Sequence, residues 1–175
     1  MPEEKVNNFL FDIETNGLDA MQNRVICITV QNVAHEKDVP YSMYGEDEKL
    51  ILEKFWNCIK SSDKLYGFNI DEFDVPFLLQ RSFILGVRVP DNFKTIKVVD
   101  LRKVLSGFWY NYNKFAKGKL SDWARLLLIN IATENGEQML SYYEKKDWKK
   151  IVAHAEEDVF ITHAIYRRLQ QVNLI

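Results

Sequence analysis

The chain has 175 residues, 47% of them hydrophobic and 27% charged, with a formal net charge of −2. That length suits one domain with a single substantial core, and the composition excludes a disordered chain. The slight acidity argues against binding nucleic acid by bulk attraction alone. The polar start, Met1 to Lys5, has no secretory pattern and no apolar run reaches membrane-spanning length, so a soluble, cytoplasmic protein is expected. Cys27 and Cys58 lie far apart in apolar runs without metal-ligand spacing and read as reduced core thiols.

Residues 5–11 read as an apolar strand and residues 24–31 as a second, joined through the turn signal Asn16-Gly17-Leu18-Asp19. A third strand is expected over 39–44, followed by helical spacing over 46–60 through Leu50, Ile51, Phe55 and Ile59. Residues 64–68 form a fourth strand, 73–85 a helix ended by Gly86, and 96–99 a fifth strand running into a helix from Asp100. The rest reads as helices over 120–128, 137–145 and 148–172. This order predicts an α/β protein: a mixed central sheet of about five strands flanked by helices, in a single domain spanning residues 1–175.

Four acidic residues stand beside apolar neighbours: Asp12 and Glu14 in Phe-Asp-Ile-Glu-Thr, Asp74 in Asp-Glu-Phe-Asp-Val-Pro, and Asp158 in His-Ala-Glu-Glu-Asp-Val. Carboxylates in such surroundings need a cation or a hydrogen-bond network to offset their desolvation, which points to a shared site for hard divalent metals. Residues two apart on a strand face one side, so Asp12 and Glu14 would present two carboxylates together at the strand's end, unless that strand merely runs into solvent. Asp74 near a helix start has an ordinary reading as a cap or a partner of the helix dipole, and Asn69 could cap the turn before it or hold a substrate. His154 and Asp158, four apart on a helix, share a face, as many surface pairs do, with Thr162 one turn further on.

Three segments, taken in order, resemble the exonuclease motifs of the DEDD superfamily: residues 11–19, Phe-Asp-Ile-Glu-Thr-Asn-Gly-Leu-Asp; residues 67–78, Gly-Phe-Asn-Ile-Asp-Glu-Phe-Asp-Val-Pro-Phe-Leu; and His154 to Asp158. They are most similar to the proofreading 3′-to-5′ exonuclease domains of family B DNA polymerases and their stand-alone relatives. Val99-Asp100-Leu101 and Gly136-Glu137-Gln138 also look like the stand-alone relatives. The resemblance implies an RNase H-like fold and hydrolysis of terminal phosphodiester bonds with two divalent ions, Mg²⁺ or Mn²⁺, held by Asp12, Glu14, Asp74 and Asp158. In the polymerase-like branch a tyrosine stands four residues before the last acid, whereas in the other main branch a histidine stands five before it. Here His154 takes the tyrosine's spacing, and the resemblance implies that it accepts or orients the proton of the attacking water.

The same resemblance assigns Thr15, Leu18, Asn69 and Phe73 to the 3′-terminal nucleotides, Leu18 as a wedge and Phe73 packed on sugar or base; core packing is the plainer reading for Leu18 and Phe73. Residues 107–119, Gly-Phe-Trp-Tyr-Asn-Tyr-Asn-Lys-Phe-Ala-Lys-Gly-Lys, interleave rings with lysines in a manner suited to single strands, or to core packing or a subunit contact. The expected substrate is single-stranded nucleic acid, DNA before RNA, in repair or proofreading. An exoribonuclease on the same site, or an inactive nucleic-acid-binding or polymerase-associated module, are the alternatives, and complete acids argue against the inactive module.

Overall fold

The computed structural model describes residues 7–34, 39–107, 118–132 and 138–175. Five strands, β1 (Asn8–Thr15), β2 (Val25–Asn32), β3 (Tyr41–Tyr44), β4 (Lys64–Gly67) and β5 (Lys97–Asp100), form one mixed sheet in the order β3-β2-β1-β4-β5. The hairpin side, β1 to β3, is antiparallel; β4 and β5 join β1 in parallel. Among the described residues six α-helices complete the architecture: α1 (Glu48–Ile59), α2 (Asp74–Leu85), α3 (Leu101–Leu105), α4 (Leu120–Leu126), α5 (Met139–Glu144) and α6 (Trp148–Gln171).

Strand alternation divides the core between two faces. Phe11 and Ile13 of β1 pack with Ile51, Phe55, Phe77 and Leu78 of α1 and α2. Leu10 faces the other way, into a cluster with Ile161, Ile165 and Leu169 of α6. Asp12 and Glu14 share the parity of Leu10, so β1 directs both toward the α6 face. On α6 the buried residues Ile151, Ala155, Val159, Thr162, Tyr166 and Leu169 recur at intervals of three and four, the stripe that seats a helix on a sheet.

Several boundaries shift from expectation, two of them for a visible physical reason. The first strand, read as ending at residue 11, continues through Asp12 and Glu14 to Thr15, because the antiparallel ladder with β2 persists to the pair Thr15↔Val25. The first helix, read from residue 46, starts at Glu48 because Asp47 caps it, accepting from the N–H of Leu50 at 3.0 Å. Gly86 ends α2 in the left-handed conformation, φ 64°. Gly67 lets the end of β4 pass β1 closely: a Cβ there would lie 2.9 Å from the Phe11 carbonyl oxygen. Cys27 is buried in β2 and Cys58 partly buried, both as free thiols. Among the described residues no helix is long and apolar enough to cross a membrane. Residues 108–117 of the ring-and-lysine stretch, and Gly136 and Glu137, lie outside the described residues.

Candidate active site

The site is built where β1 outruns its parallel neighbour. β4 pairs with β1 only over Asn8, Phe9 and Leu10. Beyond that point the open edge of β1 meets the start of α2, and the N–H of Ile13 donates to Asp74 Oδ1 at 3.2 Å. Asp74, 4% exposed, is thereby brought round the strand toward Asp12 and Glu14. Helix α6 closes the site from the other side. His154 Nε2 lies 3.7 Å from Glu14 Oε1 and 3.7 Å from Asp158 Oδ2, and donor atoms of Glu14, His154 and Asp158 all fall within 4.8 Å of one another.

The electrostatics of this cluster are those of crowded anions. Burial, then Asp74, Glu14 and Asp158, hold the Asp12 carboxyl well above the usual carboxylate range. Burial and the charges of Asp158 and Asp74 do the same to Glu14. Asp74 is pushed up to about 7, chiefly by burial and against the stabilising N–H of Ile13. Asp158 is raised by burial, with His154 opposing. Carboxylates that resist ionisation through desolvation and mutual repulsion take up either protons or a cation. Among the described residues, Glu14, His154 and Asp158 lie close enough together to hold one cation, with Asp12 and Asp74 near enough to interact by charge with Glu14 and Asp158, and such hard oxygen donors suit a divalent metal ion.

Beside the acids lies a cleft of about 450 Å³. It is lined by Glu14, Thr15 and Leu18 from the end of β1 and its loop, by Phe73 before α2, and by Met139 and Leu140 of α5. Leu18 is 84% exposed, so its side chain is not core. The Phe73 ring has both readings at once: it packs against Phe77, with centroids 5.4 Å apart, while contributing to the cleft. Thr15 Oγ1 donates to the Gly17 carbonyl at 2.8 Å and so shapes the loop. Asn69 does not line the cleft. It adopts φ 67°, its Oδ1 accepts from Arg102 Nη1 at 2.9 Å, and its carbonyl accepts from the N–H groups of Glu72 and Phe73. Thr162 is buried, 2% exposed, along the sheet-facing stripe of α6.

Three features escape sequence reading. Met139 and Leu140 belong to a short helix whose spacing gives no sign of the neighbour it meets. Glu48 and Arg81 form a buried fork, Nε to Oε1 at 2.8 Å and Nη2 to Oε2 at 2.7 Å, that also holds the Ala20 carbonyl through Nη1 and the Val25 N–H through Oε1. Asp100, noted only as part of a matching triplet, is a buried acceptor for backbone N–H groups on two segments.

A mixed five-stranded sheet flanked by helices, with acids converging from the first strand and the last helix, is the RNase H-like arrangement. The comparisons agree. A model of the RNase_H superfamily matches residues 9–170, and the chain belongs to that superfamily. It is 32% identical over 177 residues to the uncharacterized protein MJ0365 of Methanocaldococcus jannaschii, covering 95% of this chain and 97% of that one. A DNA polymerase of Pyrococcus glycovorans is 28% identical over 100 residues, covering 50% of this chain and 13% of the polymerase. The family B DNA polymerase of Pyrobaculum calidifontis has the same fold over 97% of this chain, with a TM-score of 0.78 at 17% identity, and this chain spans a quarter (25%) of that polymerase. Family and fold together support a nuclease acting on nucleic acid, of the type that uses divalent metal ions.

Proposed function

We propose that the chain is a metal-dependent 3′-to-5′ exonuclease that removes terminal nucleotides from single-stranded DNA, folded as one domain and working in the cytoplasm in repair or proofreading. The observation that carries this reading is the grouping of Glu14, His154 and Asp158 within 4.8 Å of one another, with Asp12 and Asp74 close enough to act by charge on the two carboxylates, beside a cleft lined in part by the exposed Leu18. Similarity to DNA polymerases over half of the chain favours DNA over RNA.

Asp12, Glu14, Asp74 and Asp158 would hold two divalent ions. When bound, such ions supply Lewis acidity toward the phosphoryl oxygens and neutralise charge that develops in the transition state. The remaining work falls to the chain itself. His154, 3.7 Å from both Glu14 and Asp158, would orient the attacking water and accept its proton. Leu18 and Phe73, both lining the cleft, would pack against the terminal base and sugar, while Thr15 fixes the loop that carries Leu18. Asn69 contributes through the turn that presents Phe73.

The test is cleavage of 5′-labelled single-stranded DNA, RNA and duplex DNA with Mg²⁺ or Mn²⁺, by wild type and by Asp12→Ala. A ladder shortening from the 3′ end, absent without metal and absent in Asp12→Ala, is the expected result. Preference for RNA would make the enzyme an exoribonuclease. Binding without cleavage of any substrate would overturn the enzymatic reading.

A further inference from the structure

We infer that Asp100, with Arg102 and Lys103, is a positioning residue that sets Asp74 and Phe73 by holding the loop of residues 69–72. The inference rests on Asp74 as a metal-binding acid.

Asp100 ends β5 and is 3% exposed. Its Oδ1 accepts from the N–H of Arg102 at 2.9 Å and of Lys103 at 3.4 Å, an ordinary cap for the first turn of α3. The same carboxylate also accepts from the loop after β4: Asn69 N–H on Oδ1 at 2.9 Å and Asp71 N–H on Oδ2 at 3.2 Å. A residue needed only to cap α3 has no use for the second pair. The side chains that follow repeat the pattern. Arg102 Nη1 reaches Asn69 Oδ1 at 2.9 Å, and Lys103 Nζ reaches Asp71 at 3.1 Å and Glu72 at 3.0 Å.

The loop turns at Asn69, whose φ of 67° is a left-handed conformation that asparagine adopts more readily than other side chains, and the Asp100 and Arg102 contacts fix the chain at that turn. From that residue the chain is set hydrogen bond by hydrogen bond. The Asn69 carbonyl accepts from Glu72 and Phe73, and the Ile70 carbonyl from Val75 at 2.9 Å. Asp74 lies between these fixed points, and its reach to the Ile13 N–H depends on where the turn delivers it. Releasing the loop therefore displaces a cleft wall and a metal-binding acid together. Residues that orient metal ligands from behind typically change metal affinity or activity by about 10–100-fold when lost.

The test uses Asp100→Ala, Asp100→Asn and Arg102→Ala, with Mn²⁺ binding by calorimetry in the absence of nucleic acid and amide hydrogen exchange by peptide. In Asp100→Ala, Mn²⁺ affinity is expected to fall by about 10–100-fold, with faster exchange confined to residues 68–75. Asp100→Asn should recover part of the loss, because an amide oxygen still serves the Asn69 and Arg102 N–H groups. Arg102→Ala should shift both readouts in the same direction by less. Unchanged Mn²⁺ affinity in folded Asp100→Ala, or exchange accelerated evenly across the sheet, would overturn the inference. If Asp100→Ala does not fold, unchanged affinity in both other variants overturns it. Asp74→Asn serves as the reference for lost metal binding. None of these readouts requires cleavage, so failure of the exonuclease reading would show separately, in the labelled-strand assay.

Discussion

The N–H of Ile13 donates to Asp74 Oδ1 across 3.2 Å, joining the open edge of the central strand to the first residue of a helix from the far side of the sheet. A buried carboxylate is thus fastened next to Asp12 and Glu14, where its own charge is unwelcome. Asp74→Asn keeps an oxygen for the Ile13 N–H while removing that charge. It should abolish cleavage, by at least about 10²-fold since several kcal/mol of transition-state stabilisation are lost, yet leave the metal-free protein as stable as wild type or more so near neutral pH. Thermal unfolding beside single-turnover cleavage checks both halves.

The raised carboxyls also give the fold a pH dependence. A group whose folded pKa lies above its unfolded value stabilises the fold below the unfolded pKa and loses that contribution as pH rises through the folded one. Asp74, raised from an ordinary 3.8 to about 7, and Asp12 and Glu14, raised well above the usual range, all act in this direction. Metal-free protein should therefore melt at a lower temperature at about pH 8 than at about pH 5. Mn²⁺ or Mg²⁺ should restore most of the difference, and do so more at the higher pH, because an ion that binds only the folded state stabilises it. A flat metal-free profile would count against the crowded-anion description.

His154 stands 3.7 Å from both Glu14 and Asp158. His154→Ala should lower kcat by about 10²-fold or more, the range of lost general acid–base assistance, with little change in KM. Added imidazole should return part of the rate if the ring takes the proton. A loss confined to Mn²⁺ affinity, with no rescue, would make His154 a metal ligand instead.

Leu18, being 84% exposed, contributes little to the core. Leu18→Ala should leave the melting temperature nearly unchanged, since surface substitutions stay within about 0.5 kcal/mol. If Leu18 wedges against a terminal base, KM should rise roughly tenfold, equivalent to about 1.4 kcal/mol of lost apolar contact. Steady-state kinetics on one labelled strand decides it.

The fork between Glu48 and Arg81, with side chains 5% and 10% exposed, leaves a buried charge unpaired when either partner is removed. Arg81→Met should cost about 3–5 kcal/mol of stability in denaturant unfolding. Glu48→Gln/Arg81→Met, which removes both charges, should recover a good part of that loss. Recovery in the double variant separates the desolvation penalty from lost packing.

Among the described residues, the five strands and the α-helices lie within a few residues of where the sequence pattern puts them, because the apolar run of β1 and the stripe on α6 are local properties, while the short 3-10 turn at Phe93–Thr95 was not expected. Sheet order was not legible: nothing in residues 64–67 says which strand they join. The motif residues were visible as an ordered resemblance, but their surroundings were not. Taken from spacing alone, Asp74 reads as a helix cap, and only the folded chain shows it accepting the Ile13 N–H; likewise the Arg102 side chain on the Asn69 oxygen could not be read from the sequence. Met139 and Leu140 could not be picked out at all, since what makes them part of the cleft is distance in space.

The loop that carries Leu18 is fastened at both roots. Asn16 exchanges hydrogen bonds with Arg24, its Oδ1 accepting the Arg24 N–H at 2.7 Å and its own N–H donating to the Arg24 carbonyl at 3.2 Å, and Arg81 grips the Ala20 carbonyl at 2.9 Å. The apolar tip is therefore preorganised: its ordering is settled when the chain folds and not when a strand arrives, so little conformational entropy is lost at the encounter. If the chain removes terminal nucleotides one after another as proposed, a mouth built this way would meet each of them in the same posture.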